Sequence, residues 1–237
     1  MFDALKELLF PRICLYCKEQ KAEEGGLCRD CKRIYETEKY APCRRCKKLN
    51  CRCQCRPVQA SPDIFAYLSV FPYRENSPGG RLLLTLKDRK HREATELVGK
   101  DMAKSLYNGC ILHSDAVVTF APRSREAIAE SGTDQAKELA KVVAKTCSLP
   151  LVEALKRKRG GAQKELSAKE RTEHAGTSYA LSKKCPDLTG KQVILVDDIV
   201  TTGASLAACA ALLKEKGAAQ IVCLTAGKTL GRHKETE

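Results

Sequence analysis

The chain has 237 residues, of which 42 are Lys or Arg and 29 are Asp or Glu, so its formal net charge is +13. This length allows one full domain with a small second module, and the positive charge favours contact with nucleic acids, phosphorylated metabolites or anionic lipid. No segment approaches about 18 uninterrupted apolar residues, which excludes a transmembrane helix at the level of sequence.

The N-terminal segment, residues 1–10, has Asp3 and Glu7 where a secretory signal would be basic and then apolar. We therefore expect a cytoplasmic protein whose cysteines stay reduced. Nine of the 14 cysteines lie between Cys14 and Cys55, and such density in a reducing compartment indicates metal binding. The other five are predicted to be buried or partly buried residues of the core: Cys110, Cys147, Cys185, Cys209 and Cys223.

The first cysteine cluster has the spacing of a structural zinc site. It consists of two CxxC pairs, and each pair lets a tight turn direct two thiolates at one ion. Two such pairs complete a closed tetrahedral site with no open position for chemistry. The predicted zinc ligands are Cys14, Cys17, Cys28 and Cys31.

The second cysteine cluster, CRRCKKLNCRCQC, offers five cysteines for four ligand positions. Cys43 and Cys46 form its CxxC pair, and we predict Cys51 and Cys53 as the other two ligands, with Cys55 as the alternative to either. The sequence leaves open whether the ligands of the two clusters pair sequentially or in a crossed arrangement. Because the head has few aliphatic side chains, zinc is expected to supply much of its folding free energy.

The second cluster also carries four basic side chains. They favour either a finger that binds nucleic acid or a partner, or a structural cap with a solvated basic loop. No aromatic residue is interleaved among them to stack on bases. These side chains are Arg44, Arg45, Lys47 and Lys48.

After a polar linker at residues 56–63, strand and helix patterns alternate. The apolar periodicity predicts helices and strands of ordinary length. In chain order they are a strand over residues 64–73, a break at Gly79-Gly80 followed by a short amphipathic helix to residue 91, a helix over 92–107, a strand over 115–122, a helix over 134–147, a strand over 191–196, a helix over 204–217 and a strand over 219–226.

This alternation predicts an α/β fold with a mostly parallel, doubly wound sheet. The expected organisation is a cysteine-rich zinc-binding region at residues 1–58 and an α/β domain at residues 59–237. In such sheets ligands bind beyond the carboxyl ends of the strands. Ligand-binding residues are therefore expected directly after the strands.

The stretch VILVDDIVTTGAS, residues 193–205, combines a buried strand, two acids and a loop of small hydroxyl residues. Residues 193–196 are expected to form the strand, so that Asp197 and Asp198 emerge at its carboxyl end. The acids are expected to face sugar hydroxyls, a metal or a developing cation, or else one of them simply caps the next helix. The following loop leads into a helix, whose dipole and N–H groups favour a phosphate; its residues are Thr201, Thr202, Gly203, Ala204 and Ser205.

This stretch resembles the signature of type I phosphoribosyltransferases at every position. The resemblance implies that Asp197 and Asp198 hold the ribose hydroxyls of phosphoribosyl pyrophosphate (PRPP) and that residues 201–205 bind its 5′-phosphate. It implies that the acids also stabilise positive charge developing at the anomeric carbon. Magnesium bound to the pyrophosphate is the implied cofactor that assists departure of the leaving group.

A narrower resemblance, to the ComF proteins associated with natural competence and DNA uptake, covers nearly the whole chain. It rests on the cysteine-rich head together with LKDRK at residues 86–90, APRSR at 121–125, GTDQA at 132–136 and RKRGGAQKELSAKER at 157–171. It implies that a turn binds pyrophosphate and that Lys87 reaches toward the same group. The residues of this turn are Pro122, Arg123, Ser124 and Arg125.

The same resemblance implies that the basic segment 156–177 is a flap that closes over the substrate and excludes water; a solvated loop is the alternative. The flap residues carried over are Arg157, Arg159, Gln163 and Arg171. Many relatives have Arg-Gly-Phe-Asn-Gln where this chain has Ser-Gly-Thr-Asp-Gln at residues 131–135, and Asn at the position of His174. The contacts around these positions are therefore not carried over.

The function that we predict is transfer of phosphoribose from PRPP to an unidentified acceptor, with release of pyrophosphate. The alternatives are a non-catalytic competence factor that binds single-stranded DNA and a PRPP sensor without turnover, because fold alone does not fix function. The implied partners are PRPP and either single-stranded DNA or the DNA-uptake machinery, and a homodimer is compatible with the sequence. No set of residues identifies the acceptor.

Overall fold

The computed structural model of the protein describes residues 12–23, 25–86, 92–110, 112–158 and 178–229. Its strands are β1 (Ala66–Pro72), β2 (Val117–Phe120), β3 (Leu155–Arg157), β4 (Tyr179–Leu181), β5 (Gln192–Val200) and β6 (Gln220–Lys228). Its helices are α1 (Arg29–Tyr40), α2 (Pro78–Thr85), α3 (Arg92–Gly109), α4 (Arg125–Ser131), α5 (Gln135–Cys147) and α6 (Ala204–Glu215), and a short 3₁₀ helix covers Asn50–Arg52. In these ranges no helix combines the length and the apolar composition needed to cross a bilayer.

Four parallel strands form the central sheet in the order β1-β6-β5-β2. The central strands β5 and β6 are buried over most of their length, and β5 consists largely of Val, Ile and Leu, as expected for a parallel sheet that is covered on both faces. The strands β3 and β4 pair antiparallel in a separate two-stranded sheet. The predicted α/β fold with a mostly parallel sheet is confirmed.

Helices cover both faces of the central sheet, which makes it doubly wound as predicted. On one face, α3 and α5 pack through buried residues such as Met102, Leu106 and Val143. On the other face, α6 and the β3–β4 pair pack through residues that include Leu206 and Tyr179. Each fully buried aliphatic side chain contributes about 1.5–3 kcal/mol relative to exposure. The two cores hold the carboxyl ends of all four parallel strands at one edge of the sheet.

The predicted break at Gly79-Gly80 is wrong, because α2 begins at Pro78 and includes both glycines. Ser77 caps this helix by accepting a hydrogen bond from the Gly80 N–H at 3.2 Å. A Cβ atom at Gly80 would lie 1.8 Å from the Arg74 carbonyl oxygen. Glycine here therefore permits the close approach of the preceding turn and does not interrupt the helix.

The cysteine-rich head packs against the sheet domain through α1. The Tyr35 ring is fully buried and contacts the Phe71 ring of β1 edge to face, with centroids 5.7 Å apart. The Tyr35 hydroxyl and the Lys39 Nζ each donate to the Asp101 carboxylate of α3 at 3.0 Å. The head and the sheet domain thus share one hydrophobic core, and the division at residue 58 stays a prediction.

Candidate functional site

The two acids lie within β5 and not after it, which corrects the predicted strand end at Val196. The strand continues to Val200 because β6 still pairs with it, with Asp197 opposite Thr225 and Ile199 opposite Gly227. On its other side the neighbouring strand β2 ends opposite Val196. Among the described residues, β5 pairs beyond this point with β6 only, and the acids lie on this part of the strand.

Each carboxylate of the pair accepts a hydrogen bond from the next backbone amide. The Asp198 N–H donates to Asp197 Oδ1 at 2.9 Å, and the Ile199 N–H donates to Asp198 Oδ1 at 2.7 Å. Burial of its carboxyl group raises the pKa of Asp197 well above the usual range, and the adjacent negative charge of Asp198 raises it further. The pair is therefore suited to accept hydrogen bonds from hydroxyl groups or to face a positive charge, either of which would stabilise its ionised form.

Residues 201–203 connect β5 to α6, and Ala204 and Ser205 are the first two residues of that helix, as predicted. Gly203 is the N-cap residue, with φ of 94°, and has no side chain that could cap the helix. The Ala204 N–H donates to Thr202 Oγ1 at 3.3 Å, while the Thr201 and Thr202 side chains are exposed. The loop thus combines exposed hydroxyls with the positive end of a helix dipole, which are the features of a phosphate site.

The linker that follows the cysteine-rich head packs against the 201–205 loop. The Gln59 N–H donates to the Thr202 carbonyl oxygen at 2.8 Å. A Cβ atom at Gly203 would lie 2.7 Å from Pro57 Cγ. Glycine at position 203 is therefore required both by its left-handed backbone and by the contact with the linker.

The turn at residues 122–125 follows β2 at the same edge of the sheet. Ser124 caps α4, accepting from the Ala127 N–H at 3.1 Å, and Arg125 is the first residue of that helix. Arg123 is held toward the start of α5: its N–H donates to Asp134 Oδ2 at 3.2 Å and its guanidinium contacts Gln135 Oε1. Arg123 thus has partners within the protein, and Arg125 is exposed.

The β3–β4 pair joins the site through Tyr179. Arg157 Nη1 donates to the Tyr179 hydroxyl at 2.8 Å, and the guanidinium lies 5.0 Å from the centre of the Tyr179 ring. Burial raises the pKa of Tyr179, against the opposing effect of a hydrogen bond with the Ser205 side chain. These contacts connect the predicted flap residue Arg157 to the first turn of α6. The remaining predicted contacts lie outside the described residues: Lys87, Arg159, Gln163 and Arg171.

The first cysteine cluster contains the four predicted ligands. The Sγ atoms of Cys14, Cys17, Cys28 and Cys31 all lie within 4.8 Å of one another. Four thiolates at about 2.3 Å from a tetrahedral zinc ion are separated by about 3.8 Å, and the measured Sγ distance between Cys17 and Cys28 is 3.9 Å. The cluster therefore fits a structural zinc ion, and the ligands pair sequentially.

The second cluster corrects one predicted ligand. The Sγ atoms within 4.8 Å of one another are those of Cys43, Cys46, Cys53 and Cys55, so Cys55 takes the position predicted for Cys51. Cys51 lies inside the 3₁₀ helix, whereas Cys53 follows it in extended conformation. A residue in extended conformation allows side chains two positions apart to lie on the same side of the chain, and the Cys55 N–H also lies 3.4 Å from Cys53 Sγ.

Within each cluster the pKa of one thiol is lowered, whereas burial raises the pKa of others, such as Cys28 and Cys55. Although burial opposes ionisation, backbone N–H groups lower the pKa of Cys14 and of Cys43 to about 6 each. Burial raises the pKa of Cys53, and the nearby Lys228 ammonium counteracts this effect. A metal ion is what would allow all four thiols of a cluster to be ionised together.

Three residues close to the site were not predicted from the sequence: Tyr179, Asp134 and Lys228. Asp134 caps α5, accepting from the Lys137 N–H at 3.2 Å, besides binding the Arg123 amide. Lys228 could have been noticed as a charged residue at the end of an otherwise apolar strand. No sequence signal identifies Tyr179, because its role depends on how the β3–β4 pair folds back on α6.

The fold and the acidic site agree with a family match. Residues 127–236 match the family model described as the phosphoribosyl transferase domain. The parallel sheet with helices on both faces, the acidic pair on β5 and the 201–205 loop lie within or beside this region. The domain is thus of the type I phosphoribosyltransferase class in fold.

A second match covers most of the chain, including the cysteine-rich head. The chain is 27% identical over 214 residues to competence protein ComFC of Bacillus subtilis (strain 168), covering 89% of this chain and 81% of that protein. Together the two matches support a ComF-family, type I phosphoribosyltransferase-like protein.

Solved structures also resemble this chain at low identity. The allosteric regulatory enzyme of purine biosynthesis is 18% identical with a TM-score of 0.40, covering 60% of this chain and 30% of that chain. A hypoxanthine phosphoribosyltransferase from Staphylococcus aureus is 16% identical with a TM-score of 0.37, covering 62% of this chain and 69% of that chain. The present chain thus spans less than a third of the length of the first of these two proteins.

Proposed function

We propose that the protein binds PRPP with magnesium and transfers its phosphoribosyl group to an acceptor, releasing pyrophosphate, in a ComF-like role in competence and DNA uptake. The observation that carries this proposal is the position of Asp197 and Asp198 on β5, shortly before the N-terminus of α6. The acids would repel a phosphate group, whereas the helix N-terminus would attract one. A sugar phosphate satisfies both, because its hydroxyls and its phosphate lie at different ends.

In this proposal the 201–205 loop binds the 5′-phosphate. The exposed hydroxyls of Thr201 and Thr202, the Ser205 hydroxyl and the backbone N–H groups of the first turn of α6 supply the donors. Gly203 allows the chain to turn into the helix without a side chain in the way. Phosphate binding here fixes the distance from the ribose to the acidic pair.

Asp197 and Asp198 accept hydrogen bonds from the ribose hydroxyls. As the bond between the anomeric carbon and the pyrophosphate oxygen breaks, positive charge develops on the sugar, and the ionised pair stabilises it. The acceptor nucleophile then forms the new bond to the same carbon, while the bonding electrons of the broken bond leave with pyrophosphate. The pair thus stabilises the transition state more than the ground state.

The turn at residues 122–125, with Lys87, would hold the pyrophosphate. Magnesium bound with the substrate neutralises charge on this leaving group. The segment that contains Arg159, Gln163 and Arg171 would close over PRPP, and the contact of Arg157 with Tyr179 would transmit that closure to α6. Zinc in both cysteine clusters would have a structural role, since neither cluster leaves a ligand position open.

Titration calorimetry with PRPP and magnesium tests the proposal. Wild-type protein is expected to bind PRPP saturably, and the double variant Asp197→Asn/Asp198→Asn is expected to lose most of this affinity. A survey of amine and nucleobase acceptors for PRPP-dependent pyrophosphate release then identifies the second substrate. Equal PRPP affinity in the two proteins would contradict the proposed role of the acids.

The basic side chains of the second cysteine cluster favour a second candidate function, binding of single-stranded DNA without catalysis. Arg44, Arg45, Lys47 and Lys48 are all exposed on one short segment. Phosphate-driven binding would weaken steeply with added salt. A shallow salt dependence, or unchanged DNA affinity when all four residues are replaced by Gln, would count against DNA binding by this segment. A protein that binds PRPP without turnover would instead be a PRPP sensor.

A further inference from the structure

Lys228 is a buried charged residue at the end of the central strand β6. It is 4% exposed. Its Nζ donates to the Cys55 carbonyl oxygen at 2.8 Å and lies 3.4 Å from Cys53 Sγ. Within the described part of the chain, both of these hydrogen bonds lead to the second cysteine cluster. A buried ammonium is costly unless it is paired, so this position is built to face a negatively charged cluster.

The second cluster is also connected directly to the 201–205 loop. Pro57 follows Cys55 by two residues in the sequence and contacts Gly203 so closely that a Cβ there would lie 2.7 Å from Pro57 Cγ. Two residues further on, the Gln59 N–H donates to the Thr202 carbonyl oxygen at 2.8 Å. The linker thus connects the cluster to the loop through two contacts.

The strand end that bears Lys228 supports the loop from its other side. Lys228 is paired with Val200, the last residue of β5 before the loop, and the Thr229 N–H donates to the Val200 carbonyl oxygen at 2.9 Å. The loop is therefore held by the linker and by the end of β6. Lys228 joins these two supports, because it is part of β6 and binds the cluster from which the linker begins.

We propose that Lys228 is a positioning residue that couples the second cysteine cluster to the 201–205 loop, so that metal in the cluster and phosphate on the loop stabilise each other. Four thiolates around a divalent zinc ion leave an excess of negative charge, which the Lys228 ammonium partly neutralises. The coupling rests on the proposed zinc and PRPP binding. By thermodynamic linkage, each ligand must then raise the affinity for the other by the same factor.

Equilibrium competition for zinc between the full-length protein and a chromogenic chelator tests the coupling, with ribose 5-phosphate as the probe. In wild-type protein, saturating ribose 5-phosphate is expected to raise the zinc affinity of the second cluster about tenfold and to leave that of the first cluster unchanged. The two clusters are assigned by repeating the competition with Cys55→Ala. Ribose 5-phosphate needs no magnesium, so the chelator does not interfere with its binding.

The variants distinguish an effect of the Lys228 ammonium from an effect of losing any positive charge. Lys228→Met is expected to bind zinc in the second cluster more weakly, to bind ribose 5-phosphate about tenfold more weakly and to lose the effect of ribose 5-phosphate on zinc affinity. Lys228→Arg keeps a donor and a charge and is expected to restore part of the coupling. Arg52→Met removes an exposed charge from the segment of the same cluster and is expected to behave as wild type.

The outcomes distinguish this coupling from the proposed function. If wild-type protein binds ribose 5-phosphate but the zinc affinities of both clusters are unchanged, the coupling is wrong and the proposed function stands. This arm requires no variant, so it decides the matter even if Lys228→Met does not fold. If neither ribose 5-phosphate nor PRPP binds to wild-type protein, the proposed function is wrong and the coupling with it.

Discussion

At the scale of single residues, the acidic pair on β5 lowers the stability of the ligand-free protein and is expected to serve ligand recognition. Burial of the carboxyl group and the charge of Asp198 raise the pKa of Asp197. A carboxyl whose pKa is raised by folding stabilises the native state while it is protonated, and this contribution is lost as pH rises through the raised pKa. At neutral pH, the ionised pair therefore lowers the free energy of unfolding unless a ligand offsets the repulsion.

The variant Asp197→Asn tests whether Asp197 lowers stability and supports PRPP binding. It is expected to raise the thermal midpoint at neutral pH by roughly 2–4 °C for each kcal/mol gained, while PRPP affinity falls. The gain should shrink in acid, because wild-type Asp197 is then protonated as well. Scanning calorimetry with and without PRPP measures both effects, and exposed Asp115→Asn is the control. A lower midpoint for Asp197→Asn would show that Asp197 is stabilising in its ionised form.

Single substitutions also test whether Cys51 or Cys55 is the fourth ligand of the second cluster. Cys55→Ala removes a thiol of the second cluster and is expected to reduce the zinc content from two ions per chain to one. Cys51→Ala is expected to retain both ions, although Cys51 is buried and its loss lowers stability. Elemental analysis after gel filtration gives the stoichiometry. If Cys51→Ala loses a zinc ion and Cys55→Ala does not, Cys51 is the ligand and Cys55 is not.

At the scale of elements, the loop between β5 and α6 depends on one glycine. Gly203→Ala places a Cβ against Pro57 and strains a left-handed backbone. We expect a loss of stability above the roughly 1–2 kcal/mol of backbone strain, together with weaker binding of ribose 5-phosphate. The matched control is Gly190→Ala, which has φ of 76° and open space around its Cβ. Chemical denaturation and calorimetry on both variants distinguish the effect of backbone strain from the effect of the contact with Pro57. Equal losses of stability and of binding in the two variants would exclude a specific role for this contact.

The elements also show what the sequence could and could not predict. Apolar periodicity predicted β1, β2, β5, β6, α3, α5 and α6, because in these segments local pattern and tertiary packing agree. It ended β5 at Val196, since two acids seldom belong inside a strand, yet pairing with β6 extends the strand to Val200. Three short or polar elements were missed: α1, α4 and the β3–β4 pair. Likewise, whether Cys51 or Cys55 joins the cluster depends on a 3₁₀ helix that no periodicity indicates.

At the scale of the whole molecule, the cysteine-rich head and the sheet domain are packed as one body. Asp101 of α3 is buried and is bound by both Tyr35 and Lys39 of α1. Although burial opposes its charge, Glu36 and Asp101 raise the pKa of Lys39. A lysine with a raised pKa contributes stability that is present at neutral pH and is lost only as pH rises through that pKa. The contact between head and sheet domain therefore persists wherever the protein is expected to function.

Because of this shared core, removal of zinc is expected to destabilise the whole chain and not the head alone. Loss of metal unfolds the clusters and exposes Tyr35, Leu27 and the sheet residues that they cover. A chelator should therefore lower the thermal midpoint in one cooperative transition, seen at the same temperature by far-ultraviolet circular dichroism and by tyrosine fluorescence. Chelator previously saturated with zinc is the control. Two separate transitions, the upper one at the original midpoint, would instead mean that the sheet domain is stable without its head.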